Sequence, residues 1–237
     1  MNESIPGSLR REVKYKIFMR DGSAFYSWLL RSPFKTGYKP RYNASLYFDT
    51  TDLQFAFSNI SGEANRLKIR ARWYSDVTED PMLTFCEKGQ KFTIEIKRKF
   101  NKASDKVVLD EIIFDSRDSI DVRISQIKER INYSLRTKKA LHSLQLNDVL
   151  FVFYKRSYYE HVLSRNIRMT VDKEISCTRS VGSLKPMLIS KDYEVVELKY
   201  FHENSEIIEN LMRSFRPRIV RFSKYIACLS SYVRISY

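Results

Sequence analysis

Residues 66–74, RLKIRARWY, set Arg66, Lys68, Arg70 and Arg72 at alternate positions, with Leu67, Ile69, Ala71 and Trp73 between them. Extended chain sends alternate side chains to opposite faces, so the stretch predicts a strand with one cationic and one apolar face. The pattern recurs. Residues 11–17, REVKYKI, oppose Glu12, Lys14 and Lys16 to Val13, Tyr15 and Ile17, and residues 44–50, ASLYFDT, oppose Leu46 and Phe48 to Ser45, Tyr47 and Asp49. In 92–100, FTIEIKRKF, the polar parity is Thr93, Glu95, Lys97 and Lys99, with Arg98 interrupting the apolar one. Residues 150–159 carry Arg156 on the parity of Tyr154 and Tyr158, 166–172 carry Arg168, Thr170 and Asp172, and 193–201 carry Glu197 and Lys199. Helical spacing predicts helices over 24–31, capped by Asp21 or Ser23, and over 53–58, capped by Thr51 or Asp52. A longer one is predicted over 118–144, with Ile120, Ile124, Ile127, Ile131, Leu135 and Leu141 on its apolar side. Helices over 205–215 and 217–232, the latter with Pro217 in its first turn, complete the pattern.

Neighbouring cations on one strand face lie about 6.7 Å apart, and each pair repels by about 0.6 kcal/mol in water and about 2.5 kcal/mol at an effective dielectric near 20. A solvated stripe is therefore tolerable, whereas an enclosed one calls for anions. Two arrangements satisfy the pattern: a sheet whose charged face meets water, or a barrel with a polar lumen whose apolar outside is covered by helices. The interleaved acids Glu12, Glu95, Asp172 and Glu197 favour an enclosed network.

A chain of 237 residues with 43% hydrophobic content, six glycines and six prolines reads as one domain over 1–237. Its formal charge of +14 points to an anionic partner: a polyphosphate, a nucleic acid or a lipid surface. Nucleic acid fits least, because Trp73 is opposite in parity to the arginines. Cys86, Cys177 and Cys228 form no CxxC pair and read as buried thiols in a reducing compartment. The opening residues lack the apolar core of a signal peptide, and no apolar run approaches the ~18 residues of a spanning helix, so a soluble, cytoplasmic protein is expected. His142, His161 and His202 lack ligand spacing and read as surface or helix residues without a chemical role.

The segments RREVKYKI, SLYFDT, RLKIRARWY, FTIEIKRK, YKRSYY, RMTVD, VVELKY and RFSKY, in that order and spacing, resemble VTC-type polyphosphate polymerase domains of the triphosphate tunnel metalloenzyme superfamily from about residue 9 to 229. The resemblance implies an α+β fold: an eight-stranded antiparallel β-barrel, or tunnel, with a polar basic lumen and flanking helices. It also implies Mn²⁺ or Mg²⁺, ATP and polyphosphate or pyrophosphate as partners, and transfer of the ATP γ-phosphoryl group to a growing polyphosphate chain. Matched residue by residue, Lys14, Arg70, Arg72, Lys97, Arg156, Arg168 and Lys224 correspond to the family's catalytic cations. Arg66, Lys68, Lys106, Lys199 and Arg221 are further substrate-binding candidates, and Glu197 and Glu95 are metal-ligand candidates. Fixed cations suit phosphoryl transfer, whose loose transition state spreads charge over oxygens and whose anionic acceptor needs little base help.

The chain departs from the family pattern in places. The superfamily's ExExK opening is EVKYK here, so a second carboxylate is missing and two-metal triphosphate hydrolysis is disfavoured. Ala227 and Cys228 follow SKY, and Val107 follows Lys106. Other readings stay open: a triphosphatase or nucleotidyl cyclase on the same barrel, or a non-catalytic binding module for polyphosphate or inositol phosphates. Individually, Arg70 and Arg72, Glu197 with Lys199, and Arg221 with Lys224 also fit ordinary ion pairs or a wet helix face.

Overall fold

The computed structural model describes residues 10–100, 103–137, 145–179 and 186–233. Strand β1 (Arg10–Phe18) leads into helix α1 (Met19–Arg31), and β2 (Phe34–Thr50), α2 (Gln54–Ile60), β3 (Asn65–Ser75), β4 (Lys91–Phe100) and β5 (Ala103–Ile113) follow. Then come α3 (Ile120–Thr137), β6 (Leu146–His161), β7 (Ser164–Arg179), β8 (Met187–Leu188), β9 (Tyr193–Phe201), α4 (Ser205–Arg213) and α5 (Lys224–Leu229). Hydrogen bonds order the strands β1-β9-β7-β6-β2-β3-β4-β5, with β8 added to β7, and the ladders with a described register are antiparallel. No ladder among the described residues closes the sheet.

Each alternating segment is a strand, and the charged parity is one face. Val13 and Leu198, for example, are opposite each other on the apolar side of β1 and β9, and Lys14 and Glu197 on the polar side. Arg98, which breaks the parity of β4, pairs with Asp105 directly opposite on β5. Boundaries differ from expectation where tertiary bonds take over. Helix α1 starts at Met19 without a side-chain cap, its first amide donating to the Asp192 carbonyl at 2.9 Å. The final helix begins at Lys224, not Pro217: Val220 N donates to the Lys14 carbonyl at 2.8 Å, Ile219 bridges Tyr15, and Ser223 caps α5 by accepting from Ile226 N. Residues 138–144 of the expected long helix lie outside the described residues.

Contacts divide the chain into two compact units. The first comprises Met1–Pro40, Lys155–Glu174 and Ser190–Phe222. Its core stacks Tyr15, Ile17, Val171, Val196 and Leu198 from the strands against Phe25, Trp28 and Leu29 of α1 and Ile208 of α4. Trp28 Nε1 donates to Ser214 Oγ at 3.0 Å, so the buried indole keeps its polar atom satisfied. Glu194, on this covered face, is bonded by Tyr26 and by Lys173 at 3.0 Å.

The second unit comprises Arg41–Tyr154, Ile175–Ile189 and Ser223–Tyr237. Ala44, Leu46, Phe48, Ile69, Ala71, Trp73, Phe92 and Ile94 form its apolar sheet face, and Ile124, Ile127, Ile131 and Leu135 of α3 cover it. One cation is enclosed with them. Arg123, fully buried, donates to the carbonyls of Phe85, Cys86, Glu87 and Ser116 at 2.7–3.0 Å and clips α3 to the 3₁₀ turn at Thr84–Cys86. In both units, then, the apolar face is the one the helices cover. The three cysteines are free, Cys177 and Cys228 buried and Cys86 half-buried. His161 is buried rather than superficial: it is edge-on to Phe34 and accepts from Leu163 N at 3.2 Å. His142 lies outside the described residues. No helix among the described residues is long and apolar enough to cross a membrane.

Candidate phosphate-binding faces

On the charged face of the second unit, register sets side chains in rows across β2, β3, β4 and β5. Tyr47 is opposite Arg70 and Arg70 opposite Glu95; one row along, Ser45 is opposite Arg72 and Arg72 opposite Thr93. On the other side of the Arg70 row, Lys68 faces Lys97 and Lys97 faces Lys106, and beyond them Arg66 faces Lys99. Like charges directly opposite one another on a sheet are destabilising unless an anion intervenes.

Glu95 is the carboxylate placed among these cations, and it is 3% exposed. Arg70 donates two N–H groups to its Oε2 at 2.9 and 2.7 Å, Lys106 reaches Oε1 at 2.6 Å, and Arg72 approaches only to 3.9 Å. Arg70 also donates to the Tyr47 hydroxyl at 3.2 Å. Arg72 is 11% exposed, its Nε is buried, and neither that atom nor the Ser45 hydroxyl opposite has a hydrogen-bond partner among the described residues. Three cations thus share one carboxylate, and one of them holds it at arm's length. Lys68 donates to Ser223 Oγ at 2.9 Å, and Lys224, first residue of α5, lies 4.4 Å from the centroid of the Tyr154 ring.

Helix α5 is fixed to this unit by a buried anion. The Asp49 carboxylate, fully buried, accepts from the backbone amides of Thr50, Phe55 and Ala56 at 2.8–3.0 Å and from the Tyr225 hydroxyl at 2.7 Å. It therefore caps α2, a role expected of Thr51 or Asp52. Tyr225 stacks on Tyr47 at 4.8 Å.

Burial pushes the Glu95 carboxyl up, but Arg70, then Arg72, and the hydrogen bond from Lys106 outweigh it and hold its pKa at about 2 against the ordinary 4.5. A carboxylate depressed on folding contributes stability that is complete above its unfolded pKa and is lost as pH falls through the folded one. Stability is therefore expected to fall between about pH 4.5 and pH 2, by on the order of 3 kcal/mol from this group. Urea titrations of wild type and Glu95→Gln across that range check it. The variant should lose part of the slope, and equal slopes would remove Glu95 as the cause.

The charged face of the first unit is better balanced. Rows run Glu12, Lys199, Arg168; then Lys14, Glu197, Thr170; then Lys16, Val195, Asp172. Lys14 contacts Glu12 at 2.9 Å and Glu197 at 3.5 Å and donates to the Phe222 carbonyl at 3.3 Å, while Lys199 meets the other Glu197 oxygen at 2.6 Å. Burial lowers the Lys14 pKa, and Glu197, Glu12 and Asp172 outweigh that, so the ammonium is held charged. Arg156 forks onto Asp172 with bonds of 2.6 and 2.8 Å. Arg168 stands apart from its row: its side chain is 54% exposed, 3.8 Å from Glu160, and donates to the Arg165 carbonyl. Arg221 is exposed on the extended segment before α5, so the helix face it was expected to share with Lys224 does not form.

Among the described residues no group of three or more His, Cys, Asp or Glu gathers as a ready-made metal cage. Glu95, ringed by cations, is a counter-ion in this arrangement. Glu197 is also paired, with Lys14 and Lys199, but oxygen groups lie beside it: Thr170 is opposite, with a buried Oγ1 that has no hydrogen-bond partner among the described residues, and Glu12 shares Lys14 with it. One or two carboxylates with hydroxyl oxygen nearby fit Mg²⁺ or Mn²⁺, which bind largely through water and substrate phosphates. Sequence parity named most of these groups. It set Glu12, Ser45 and Tyr47 on the charged parity, and Glu12 among the interleaved acids, without singling them out as site residues.

A sequence profile of the VTC domain matches residues 9–233. No curated protein matches the chain. Among solved structures, a candidate adenylyl cyclase from Hippeastrum described with a dominant triphosphatase activity is 13% identical, covering 93% of this chain and 96% of its own, with a TM-score of 0.52. A candidate adenylate cyclase from Vibrio parahaemolyticus is 10% identical over 93% of this chain and 98% of its own, with a TM-score of 0.51. A chain of the Schizosaccharomyces pombe Mediator head module is 7% identical over 90% of this chain and 99% of its own, with a TM-score of 0.53. These likenesses are likenesses of fold alone: an α+β architecture built on an antiparallel sheet. With the profile spanning nearly the whole sequence and the charged strands in place, the chain belongs to the VTC domain family.

Proposed function

We propose that this protein is a metal-dependent phosphotransferase that adds the γ-phosphoryl group of ATP to the end of a polyphosphate chain. The observation that carries the reading is Arg72: a nearly buried guanidinium with an unpartnered Nε, beside a carboxylate already shared by two closer cations. A guanidinium offers donors in a planar fork matched to phosphate.

In the reaction, a terminal oxygen of the chain attacks the γ-phosphorus. The bond to the β–γ bridging oxygen breaks, ADP leaves with that electron pair, and the chain is longer by one phosphate. Arg70 and Arg72, with Lys68 and Lys97, bind phosphate oxygens and neutralise charge as it spreads over the transferring group. Glu95, itself bound by Lys106, holds Arg70 in place. Lys224, seated on Tyr154, and Lys14, held charged by Glu197 and Glu12, add fixed positive charge, and Arg156 is kept in orientation by Asp172. Glu197, with Glu12 and Thr170 beside it, would hold Mn²⁺ or Mg²⁺, whose chemistry when bound is to neutralise phosphate oxygens. Arg66, Lys199, Arg168 and Arg221, more peripheral or already paired, are phosphate contacts of lesser weight.

Fold alone does not decide among chemistries. Purified protein incubated with ATP and Mn²⁺ should yield long polyphosphate and ADP, resolved by gel and by nucleotide chromatography. Orthophosphate as the main product would assign a triphosphatase, a cyclic nucleotide a cyclase, and binding without turnover a phosphate-binding module. Glu197→Gln should lose metal-dependent turnover while keeping metal-free triphosphate affinity, and equal loss of both would remove it as a ligand.

A further inference from the structure

We infer that Lys16 is an additional phosphate subsite at the end of the first unit's charged face, one that takes the remote phosphates of a long chain rather than the triphosphate itself. The inference rests on the polyphosphate reading above.

Lys16 shares the parity of Glu12 and Lys14, and β1 ends two residues later at Phe18, so it is the last cation that strand places on this face. It is half-buried, yet its row offers Val195 where the Lys14 row offers Glu197. Asp172, next in the row, is occupied by the fork of Arg156. What holds Lys16 is aromatic: its Nζ lies 4.3 Å from the Tyr193 ring centroid and 5.2 Å from that of Phe222, two rings packed edge to face at 6.0 Å. Among the described residues it makes no ion pair.

Ring faces fix an ammonium in position but do not neutralise it. Held this way, Lys16 keeps N–H donors for an outside acceptor and carries no carboxylate that a phosphate would have to displace. Lys14, about 6.7 Å back along the strand, is by contrast committed to Glu197 and Glu12. A pre-positioned cation with a free charge beyond the paired ones is suited to an extended polyanion, each phosphate of which releases condensed counter-ions when it is matched by a lysine.

The test compares wild type with Lys16→Met, whose apolar stem can still lie on the two rings, by calorimetric titration in metal-free buffer with tripolyphosphate and with a long-chain polyphosphate. Lys16→Met should bind the long chain roughly 10-fold more weakly while triphosphate affinity stays within about 2-fold. The slope of log affinity against log salt for the long chain should fall by about 1. Lys16→Arg should restore both. Unchanged long-chain affinity in Lys16→Met would overturn the subsite, and so would an equal loss for both ligands with a lowered melting temperature, which would assign Lys16 to packing of Phe222. If wild type binds neither ligand, it is the polyphosphate reading that fails.

Discussion

Arg72→Ala is expected to slow ATP-dependent phosphate-chain synthesis by about 10³-fold while its melting temperature stays within about 2 °C of wild type. The two halves of that result come from one feature. Arg72 is withdrawn from water, but among the described residues its nearest carboxylate oxygen is 3.9 Å away and its Nε has no hydrogen-bond partner, so little holds the native state together through it. In the proposed site its donors are satisfied by the incoming phosphate. Arg70→Ala makes the contrast, since Arg70 supplies two of the bonds that keep the buried Glu95 carboxylate solvated by protein. With Lys106 as the remaining close partner, Glu95 becomes an under-compensated buried charge. A loss of about 3 kcal/mol is expected, a fall of roughly 6–12 °C in melting temperature, in addition to lost activity. Calorimetric melting with single-turnover ATP consumption separates the two variants. Near-normal turnover in folded Arg72→Ala would remove that residue from the chemistry, and a large loss of stability would mean that its role is structural.

That contrast could not be drawn from sequence, where Arg70 and Arg72 are equivalent members of one alternating run. Period-two alternation identifies the face a side chain points to, and it did so for Lys14, Arg70, Arg72, Lys97 and Glu197. Which cation a carboxylate claims depends on strand neighbours, and Glu95 of β4 reaches both Arg70 of β3 and Lys106 of β5 only because β3, β4 and β5 are adjacent.

Strand β5 itself escaped the pattern for a definable reason. Its register shifts between Ile94 and Glu95, whose partners are Asp110 and Val108, so Leu109 is an extra residue in the ladder. The bulge moves the inward positions from half-buried Val107 and buried Leu109 to Ile112, and alternation is lost across it. Residues 217–223 escaped differently. Arg216, at φ +47, ends α4 with its amide on the Met212 carbonyl, and hydrogen bonding to β1 then keeps the chain extended past Pro217. Arg123 was hidden by its neighbours. It lies beside Ile120, Ile124 and Ile127 on the covered side of α3, where a cation is costly unless carbonyl oxygens surround it, as they do.

Asp49→Ala is the substitution expected to cost the most stability, about 3–5 kcal/mol, seen as a drop of roughly 10–15 °C in melting temperature. The carboxylate gathers three backbone amides and the Tyr225 hydroxyl, with the Thr50 hydroxyl at a longer 3.4 Å, in a site closed to water, so alanine strands these donors together, each of the four close ones costing about 1 kcal/mol or more when unpaired. Two milder variants rank the contributions. Asp49→Asn keeps one acceptor oxygen but turns an NH₂ toward donors, so an intermediate loss is expected, whereas Tyr225→Phe removes one donor and keeps the stack on Tyr47, for about 1 kcal/mol. Chemical denaturation of the three should give that order, and a smaller loss for Asp49→Ala than for Tyr225→Phe would refute the cap. The consequence reaches the charged face through the chain itself, because Tyr225 directly follows Lys224 in α5. When the hydroxyl of Tyr225 is no longer held, the lysine beside it loses its fixed mounting on Tyr154, and Tyr225→Phe should therefore slow turnover more than its small effect on folding accounts for.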